Sequence, residues 1–173
     1  EKSKPGSILH TTGWPLKSDT YGGSFLYHLD KNKISIGFVV GLDYKNPYLS
    51  PYMEFQRFKH HPEIKKILEG GRRINYGARA LNEGGTQSLP KLTFPGGMLV
   101  GCEAGFLNVP KIKGTHLAMK SGIIAASTIL ENIDTKDEIS NFEDQIKNSW
   151  VWSELYKVRN IRPSFKWGFW KAI

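Results

Sequence analysis

A single cysteine, Cys102, is the feature that most restricts the folds open to this chain of 173 residues. A disulfide-linked fold needs at least two cysteines, and a cysteine-ligated zinc or iron–sulfur site needs several thiolates. The chain therefore has to be held together by burial of apolar surface, for which its length is sufficient. It contains no run of about eighteen apolar residues, which excludes a membrane-spanning helix.

The first eighty residues predict a mixture of strands and helices. Phe25, Tyr27 and Leu29 alternate with other residues, as is typical of a half-buried strand. A turn at residues 30–33 would join this strand to an apolar run at residues 34–42. The two segments are therefore expected to form an antiparallel hairpin.

Proline marks the starts of two predicted helices. Ser50 can cap a helix that begins at Pro51 and ends near the two histidines at positions 60 and 61. Pro62 opens a shorter helix that the glycines at positions 70 and 71 stop. Residues 74–81 and 92–94 are then predicted as strands, separated by a polar loop.

The centre of the chain predicts a strand, a loop and a long helix in that order. Residues 98–101 are typical of a buried strand, and residues 102–113 are expected to form a loop. The long helix would start at Gly114. Its small and apolar positions are Ala118, Met119, Gly122, Ile123, Ala125, Ala126, Ile129 and Leu130. A further helix is predicted over residues 141–159.

The connection from Gly101 to His116 is the strongest site candidate on chemical grounds. Its glycines let the backbone approach a ligand closely. The free N–H groups at the helix start near Gly114 and Thr115 would stabilise an anion or a carbonyl that accumulates charge. The same glycines could serve packing alone, and the spacing does not decide between these interpretations.

No set of side chains for catalysis or metal binding can be assembled from the sequence. His60 and His61 are adjacent, so they cannot share a helix face, and no carboxylate or thiol stands at ligand spacing. Cys102 has no base near it in the sequence and is expected to be a structural thiol. We therefore predict neither catalytic side chains nor a metal site in this chain.

The net charge of +8 is unevenly distributed. Residues 131–144 carry six acids against one lysine, whereas residues 145–173 carry six lysines and arginines against one glutamate. The basic segment also contains four tryptophans: Trp150, Trp152, Trp167 and Trp170. Such a segment suits a membrane interface, a nucleic-acid surface or simple packing. The first two tryptophans are expected to pack, and the last two, beside Lys166 and Lys171, fit a membrane interface better. Nucleic acid is disfavoured because the remaining positive charge is scattered.

Long and uncommon strings over nearly the whole chain resemble one family, the electron transfer flavoprotein–ubiquinone oxidoreductases. They include TYGGSFLYHL at 20–29, GLDYKNPYLSP at 41–51 and EFQRFKHHP at 54–62. Further strings are YGARALNEGG at 76–85, SLPKLTFPGG at 88–97 and GFLNVPKIKGTH at 105–116.

The resemblance implies a membrane-bound flavoenzyme with FAD and one [4Fe–4S] cluster. Such an enzyme takes electrons from reduced electron transfer flavoprotein and passes them to ubiquinone, in the inner mitochondrial or the bacterial cytoplasmic membrane. The implied fold is a mixture of α/β and α+β. Residues 1–75 would be part of an α+β ubiquinone-binding domain. Residues 76–133 would be the C-terminal part of a glutathione-reductase-like FAD domain. Residues 134–173 would be a helical segment that leads to a membrane-facing region.

The resemblance also implies site residues. Gly22 and Gly23 match the quinone-binding positions. The flavin-binding positions are Gly101, Cys102, Glu103, Ala104, Gly105, Gly114, Thr115 and His116, with Asn82 and Gln87 as further neighbours of the flavin.

Two motifs that such an enzyme requires are not found in this sequence. There is no Gly-x-Gly-x-x-Gly dinucleotide-binding motif, and four cluster-ligating cysteines are not present, so the cluster ligands are expected outside this chain. The expectation is an internal fragment of a longer enzyme, inactive by itself. The alternative is a catalytically silent module that keeps the family's surface and binds membranes peripherally.

Overall fold

The computed structural model describes residues 4–134, 139 and 141–167. The chain divides into two compact units, Glu1–Tyr76 and Gly77–Ile173. Each contains both helix and sheet, as the sequence predicts. The assignment of residues 1–75, 76–133 and 134–173 to functional domains stays a prediction.

The first unit is built on a three-stranded antiparallel sheet. Its strands are β1 (Ile8–Thr12), β2 (Gly22–Leu29) and β3 (Lys33–Val40), with β2 in the centre. The predicted hairpin is confirmed, and its turn places Lys31 and Asn32 at φ of 58° and 55°. Positive φ at both central residues gives the turn the twist that the flanking strands need.

Two helices cover one face of this sheet. They are α1 (Pro51–Lys59) and α2 (Pro62–Leu68), and both begin at the predicted prolines. The Ser50 hydroxyl accepts a hydrogen bond from the Met53 N–H at 3.4 Å, which confirms the predicted cap. Leu26 packs with residues of these helices to form a small core. The buried face of β2 is therefore the one that carries Leu26, whereas the opposite face is only half-buried.

The strand predicted over residues 74–81 is wrong. Residues 71–84 adopt no regular secondary structure, and the side chains of Ile74 and Tyr76 are exposed. An apolar alternation produces a strand only where another strand pairs with it, and none does so here among the described residues. The predicted strand at residues 92–94 exists only as β4 (Thr93–Phe94), which pairs with β5 (Gly97–Met98).

The central segment differs from the prediction in one respect. The expected strand ends early, and the supposed loop begins with a helical turn, α3 (Gly101–Ala104). The long helix, α4 (Thr115–Glu131), starts where predicted, with Gly114 as its N-terminal cap residue.

Of the small and apolar positions singled out in the sequence of α4, only Ala125 is buried. The buried residues of this helix are Leu117, Ser121, Ile124, Ala125 and Thr128, whereas Met119, Ile123 and Leu130 are exposed. The hydroxyls of Ser121 and Thr128 donate to the carbonyls of Ala118 and Ile124 in the same helix. These bonds satisfy the hydroxyls and allow them to lie inside.

The helix predicted over residues 141–159 is two helices, α5 (Phe142–Lys147) and α6 (Trp150–Lys157). The break lies at Ser149, whose backbone is extended and whose hydroxyl donates to the Ile146 carbonyl at 2.7 Å. A serine that bonds to the preceding turn competes with continuation of the helix. A last short helix, α7 (Ile161–Ser164), precedes a single turn of 3₁₀ helix.

The core of the second unit gathers residues from all of these helices up to α6. Its largest fully buried side chains include Phe106, Phe142, Leu117, Ile146 and Leu155. Within the described residues, no helix is long and apolar enough to cross a membrane.

Candidate functional site

The glycine-rich turn of α3 lies tightly against α4. Gly101 begins this turn and Gly105 follows it. Their φ angles are 70° and 105°, in the left-handed region that favours glycine. The Gly101 N–H donates to the Ser121 hydroxyl at 3.0 Å. A Cβ atom at Gly101 would lie 3.4 Å from that of Ala118. These contacts hold residues 101–105 beside the first half of α4.

Gly114 is a buried residue packed against the thiol of Cys102. A Cβ atom at position 114 would collide with the Cys102 Sγ and would lie 2.9 Å from the Leu107 Cδ1. The structure therefore brings the two predicted parts of the site, residues 101–105 and 114–116, into contact. The Cys102 thiol has a packing role at their junction.

The start of α4 has no side-chain cap. Gly114 has no side chain to accept from the first-turn N–H groups, and no other capping bond is found in the described part of the chain. The N–H groups of Thr115, His116 and Leu117 have no acceptor within the helix, because each would require a carbonyl four residues earlier in it. With the helix dipole, they form a place where an anion or a polarised carbonyl is stabilised.

Residues 77–84 pass close to α3. The Asn82 side-chain amide donates to the Glu103 carbonyl at 2.6 Å, and Arg79 forms an ion pair with the Glu103 carboxylate. The hydrogen bond and the charge of Glu103 raise the pKa of Arg79 above its usual value. Asn82 therefore lies beside the candidate site. Gln87 instead bonds to Asn160, at 3.4 Å.

His116 is held from outside its own helix. Its Nε2 lies 2.9 Å from the Glu154 Oε1, and its ring stacks on the Trp150 indole with 5.8 Å between centroids and 8° between planes. The same carboxylate oxygen accepts from the Asn108 amide at 2.8 Å and lies 3.3 Å from the Lys111 Nζ. Burial raises the pKa of Glu154, but the hydrogen bonds from His116, Asn108 and Lys111 outweigh it and leave that pKa below its usual value.

Sequence reasoning missed this cluster, although one signal was present. Glu154 is the only acid in the basic segment at residues 145–173. A lone carboxylate in a segment with six cations marks a position worth testing for a specific partner. The partners themselves could not be read from the sequence, because Asn108 and His116 are 46 and 38 residues away.

Gly22 and Gly23, the predicted quinone contacts, lie at the start of the central strand β2. A Cβ atom at Gly22 would collide with the Val39 carbonyl and the Leu16 side chain, and one at Gly23 would lie 2.5 Å from the Thr11 carbonyl. Both glycines are therefore required by the packing of neighbouring backbone. Contact of these two positions with a quinone stays a prediction.

The described residues do not provide the ligands that a metal cluster needs. No group of three or more histidines, cysteines or acids that could hold a metal ion occurs among the described residues. Cys102 alone cannot replace the four thiolates of a [4Fe–4S] cluster.

The tryptophans of the basic segment have different environments. Trp150 stacks on His116 while remaining partly exposed, Trp152 is half-buried, and Trp167 is 72% exposed. Trp170 and Lys171, part of the predicted membrane-facing edge, lie outside the described residues.

Comparison with known proteins identifies close relatives. Residues 1–81 match the family model described as "ETF-QO, ubiquinone-binding". The chain is 65% identical over 95% of its length to the mitochondrial electron transfer flavoprotein–ubiquinone oxidoreductase of Sus scrofa. Identity to the protein of the same name from Homo sapiens is 65% over 93% of the chain. For Arabidopsis thaliana it is 56% over 96% of the chain. The chain spans 26–28% of the length of these three relatives.

Proposed function

We propose that this chain, as a member of the electron transfer flavoprotein–ubiquinone oxidoreductase family, forms part of the quinone-binding and flavin-binding regions of such an oxidoreductase. The complete reaction would pass electrons from reduced electron transfer flavoprotein through FAD and a [4Fe–4S] cluster to ubiquinone. The observation that carries this proposal is the 65% identity to the Sus scrofa relative over 95% of the chain.

The first unit is the proposed quinone-binding part. The match of residues 1–81 to a ubiquinone-binding family model supports ubiquinone as a partner. Gly22 and Gly23 would lie at this site as backbone positions without side chains. Their existing tight packing means that they would shape the sheet around a quinone and present only backbone to it.

The second unit is the proposed flavin-binding part, within a glutathione-reductase-like domain. Residues 101–105 and the start of α4 would hold FAD, and the chemistry of this donor set fits the group. The glycines allow close backbone approach, and the uncapped N–H groups at 115–117 suit an electron-rich oxygen or nitrogen. Bound there, FAD would supply the uptake and release of electrons.

In this proposal the residues of the chain bind and orient FAD, and none is required as a nucleophile. The first turn of α4 would stabilise negative charge with its dipole and N–H groups. Cys102 and Gly114 keep that turn against α3. The cluster ligands would come from elsewhere in the longer protein, since the single cysteine of this chain cannot supply the four thiolates of a [4Fe–4S] cluster.

The enzyme would act at a membrane surface of the mitochondrion or bacterium. The relatives in the comparison are named mitochondrial, and the basic segment with its exposed Trp167 is the proposed membrane-facing side. No nucleic acid is proposed as a partner.

A segment exchange tests the proposal. The matching segment of the Sus scrofa relative is replaced by this chain, and the purified chimera is assayed for bound FAD and for ubiquinone reduction by reduced electron transfer flavoprotein. We expect both to be retained. A folded chimera that binds vesicles but carries no FAD or does not reduce ubiquinone would instead support the silent membrane-binding module.

Two variants of the chimera locate the flavin site. Thr115→Glu adds a negative charge in the first turn of α4, where it favours the helix but repels an anionic ligand. Ser127→Glu adds the same charge at an exposed position three turns along the helix. We expect the dissociation constant of FAD to rise at least ~10-fold in the first variant, as a repulsion of about 1.4 kcal/mol would give, and to be unchanged in the second. Equal effects would contradict a site at the start of α4.

A further inference from the structure

Helix α6 contacts the His116 ring through two side chains one turn apart. Trp150 and Glu154 are separated by four residues, so they share one face of the helix. The indole stacks on the imidazole, and the carboxylate lies 2.9 Å from its Nε2. Stacking on the indole therefore fixes the plane of the ring, and the contact with the carboxylate fixes the direction in which Nε2 points.

The carboxylate also fixes which ring nitrogen carries hydrogen. An ionised carboxylate accepts hydrogen bonds and cannot donate one, so the Nε2 of His116 must be the donor. Asn108 bonds to the same oxygen, and the Asn108 side-chain carbonyl accepts from the Lys111 N–H at 3.3 Å. These contacts hold the acceptor in place, as outer hydrogen-bond partners do for histidines at other functional sites.

We propose that Glu154 and Trp150 are positioning residues that keep His116 as an Nε2–H donor, so that its Nδ1 is left as a hydrogen-bond acceptor at the flavin site. This inference rests on the proposed function.

Nitrogen NMR of the histidine rings tests the positioning without any flavin. The complete chain is labelled with ¹⁵N-histidine, and His116 is assigned by comparison with His116→Gln. We expect the neutral wild-type ring to be in the Nε2–H form. In Glu154→Gln, the neutral amide can face the ring with either its oxygen or its NH₂ group, so a mixture of tautomers is expected.

Two variants separate positioning from general destabilisation. Glu143→Gln makes the same change on α5, where the carboxylate accepts from the Leu92 N–H at 2.7 Å, whereas the side chains that hold His116 lie on α6. It should leave the His116 tautomer unchanged. Trp150→Phe keeps Glu154 and should keep the tautomer while broadening the ring signals. A wild-type ring in the Nδ1–H form, or in a mixture, overturns the proposal whether or not the variants fold.

The flavin-loaded chimera tests the connection to the site. We expect Glu154→Gln to shift the visible absorption spectrum of bound FAD, and Glu143→Gln to leave it unchanged. A fixed tautomer with an unchanged flavin spectrum would overturn this inference and leave the proposed function intact. A wild-type chimera without FAD would overturn the proposed function, while the NMR result would still decide the ring geometry.

Discussion

The two units of the chain differ in the hydrogen bonds that join their segments. In the first, backbone hydrogen bonds join β2 to β3 over eight residue pairs, from Gly22 opposite Val40 to Leu29 opposite Lys33. In the second, the paired strands are two residues long. Side chains connect its segments instead: Glu143 to the Leu92 N–H, Glu154 to Asn108 and His116, and Gln145 to Thr128.

This difference determines which substitutions each unit tolerates. A backbone ladder survives most polar substitutions, because every residue except proline offers the same N–H and C=O groups. A side-chain bridge is lost with a single substitution and leaves a buried partner unsatisfied. The second unit should therefore depend more on individual polar residues, and it is also the unit that carries the proposed flavin site.

The largest effect should come from the core of the second unit. Phe106 is fully buried, and Phe106→Ala should destabilise this unit by about 3–5 kcal/mol. Hydrogen exchange, read separately for α4 and for β2, measures the loss. We expect α4 to lose protection and β2 to keep it, whereas Leu26→Ala should do the reverse. Loss in both units from either variant would show that they unfold as one.

Acid should weaken the second unit through Glu154. Because the pKa of this carboxyl is lowered in the folded state, its stabilisation is present above about pH 4.5, the ordinary value, and is lost as the pH falls through the lower folded value. Glu154→Gln should lower the free energy of unfolding at neutral pH by about 1–3 kcal/mol, the worth of hydrogen bonds to a charged group. Urea titrations between pH 6 and pH 3 measure both effects. An unchanged pH profile in the variant would contradict this assignment.

A smaller effect is expected at the cap of α1. Ser50→Ala removes the acceptor for the Met53 N–H and should cost about 1 kcal/mol in the first unit. Ser50→Asp serves as the control, since it retains an acceptor at the same position. Equal urea midpoints for the two variants would show that the cap contributes nothing.

The smallest effect should be that of the Glu63–Lys66 pair on α2. The Lys66 Nζ lies 2.7 Å from the Glu63 Oε1, and both side chains are exposed. The hydrogen bond from Lys66 and its charge lower the pKa of Glu63. Solvent screens such a pair, so Lys66→Gln should produce no measurable change in the urea midpoint. A clear loss of stability would show that an exposed ion pair contributes to the first unit.

The parts of the fold that could be predicted are those set by local rules. The hairpin follows from alternation and a turn, and α1 and α2 follow from Ser50 and two prolines. The start of α4 at Gly114 and Thr115 was predictable for the same kind of reason. The resemblance to the family also rests on local strings, and the comparisons confirm it.

The parts that could not be predicted depend on which hydrogen-bond partner each polar side chain finds in the folded chain. The break between α5 and α6 depends on where the Ser149 hydroxyl finds an acceptor. The buried face of α4 carries Ser121 and Thr128, whose burial is possible only because each hydroxyl bonds within the helix. The contact of Glu154 with His116 joins residues that no periodicity relates.

The turn between β2 and β3 contains a residue type that does not suit its backbone conformation. Lys31 and Asn32 both have positive φ, a conformation that disfavours lysine far more than glycine. The register does not depend on an optimal turn, since eight pairs on β2 and β3 already specify it. We therefore expect Lys31→Gly or Lys31→Asn to raise the free energy of unfolding without changing the register of β2 and β3.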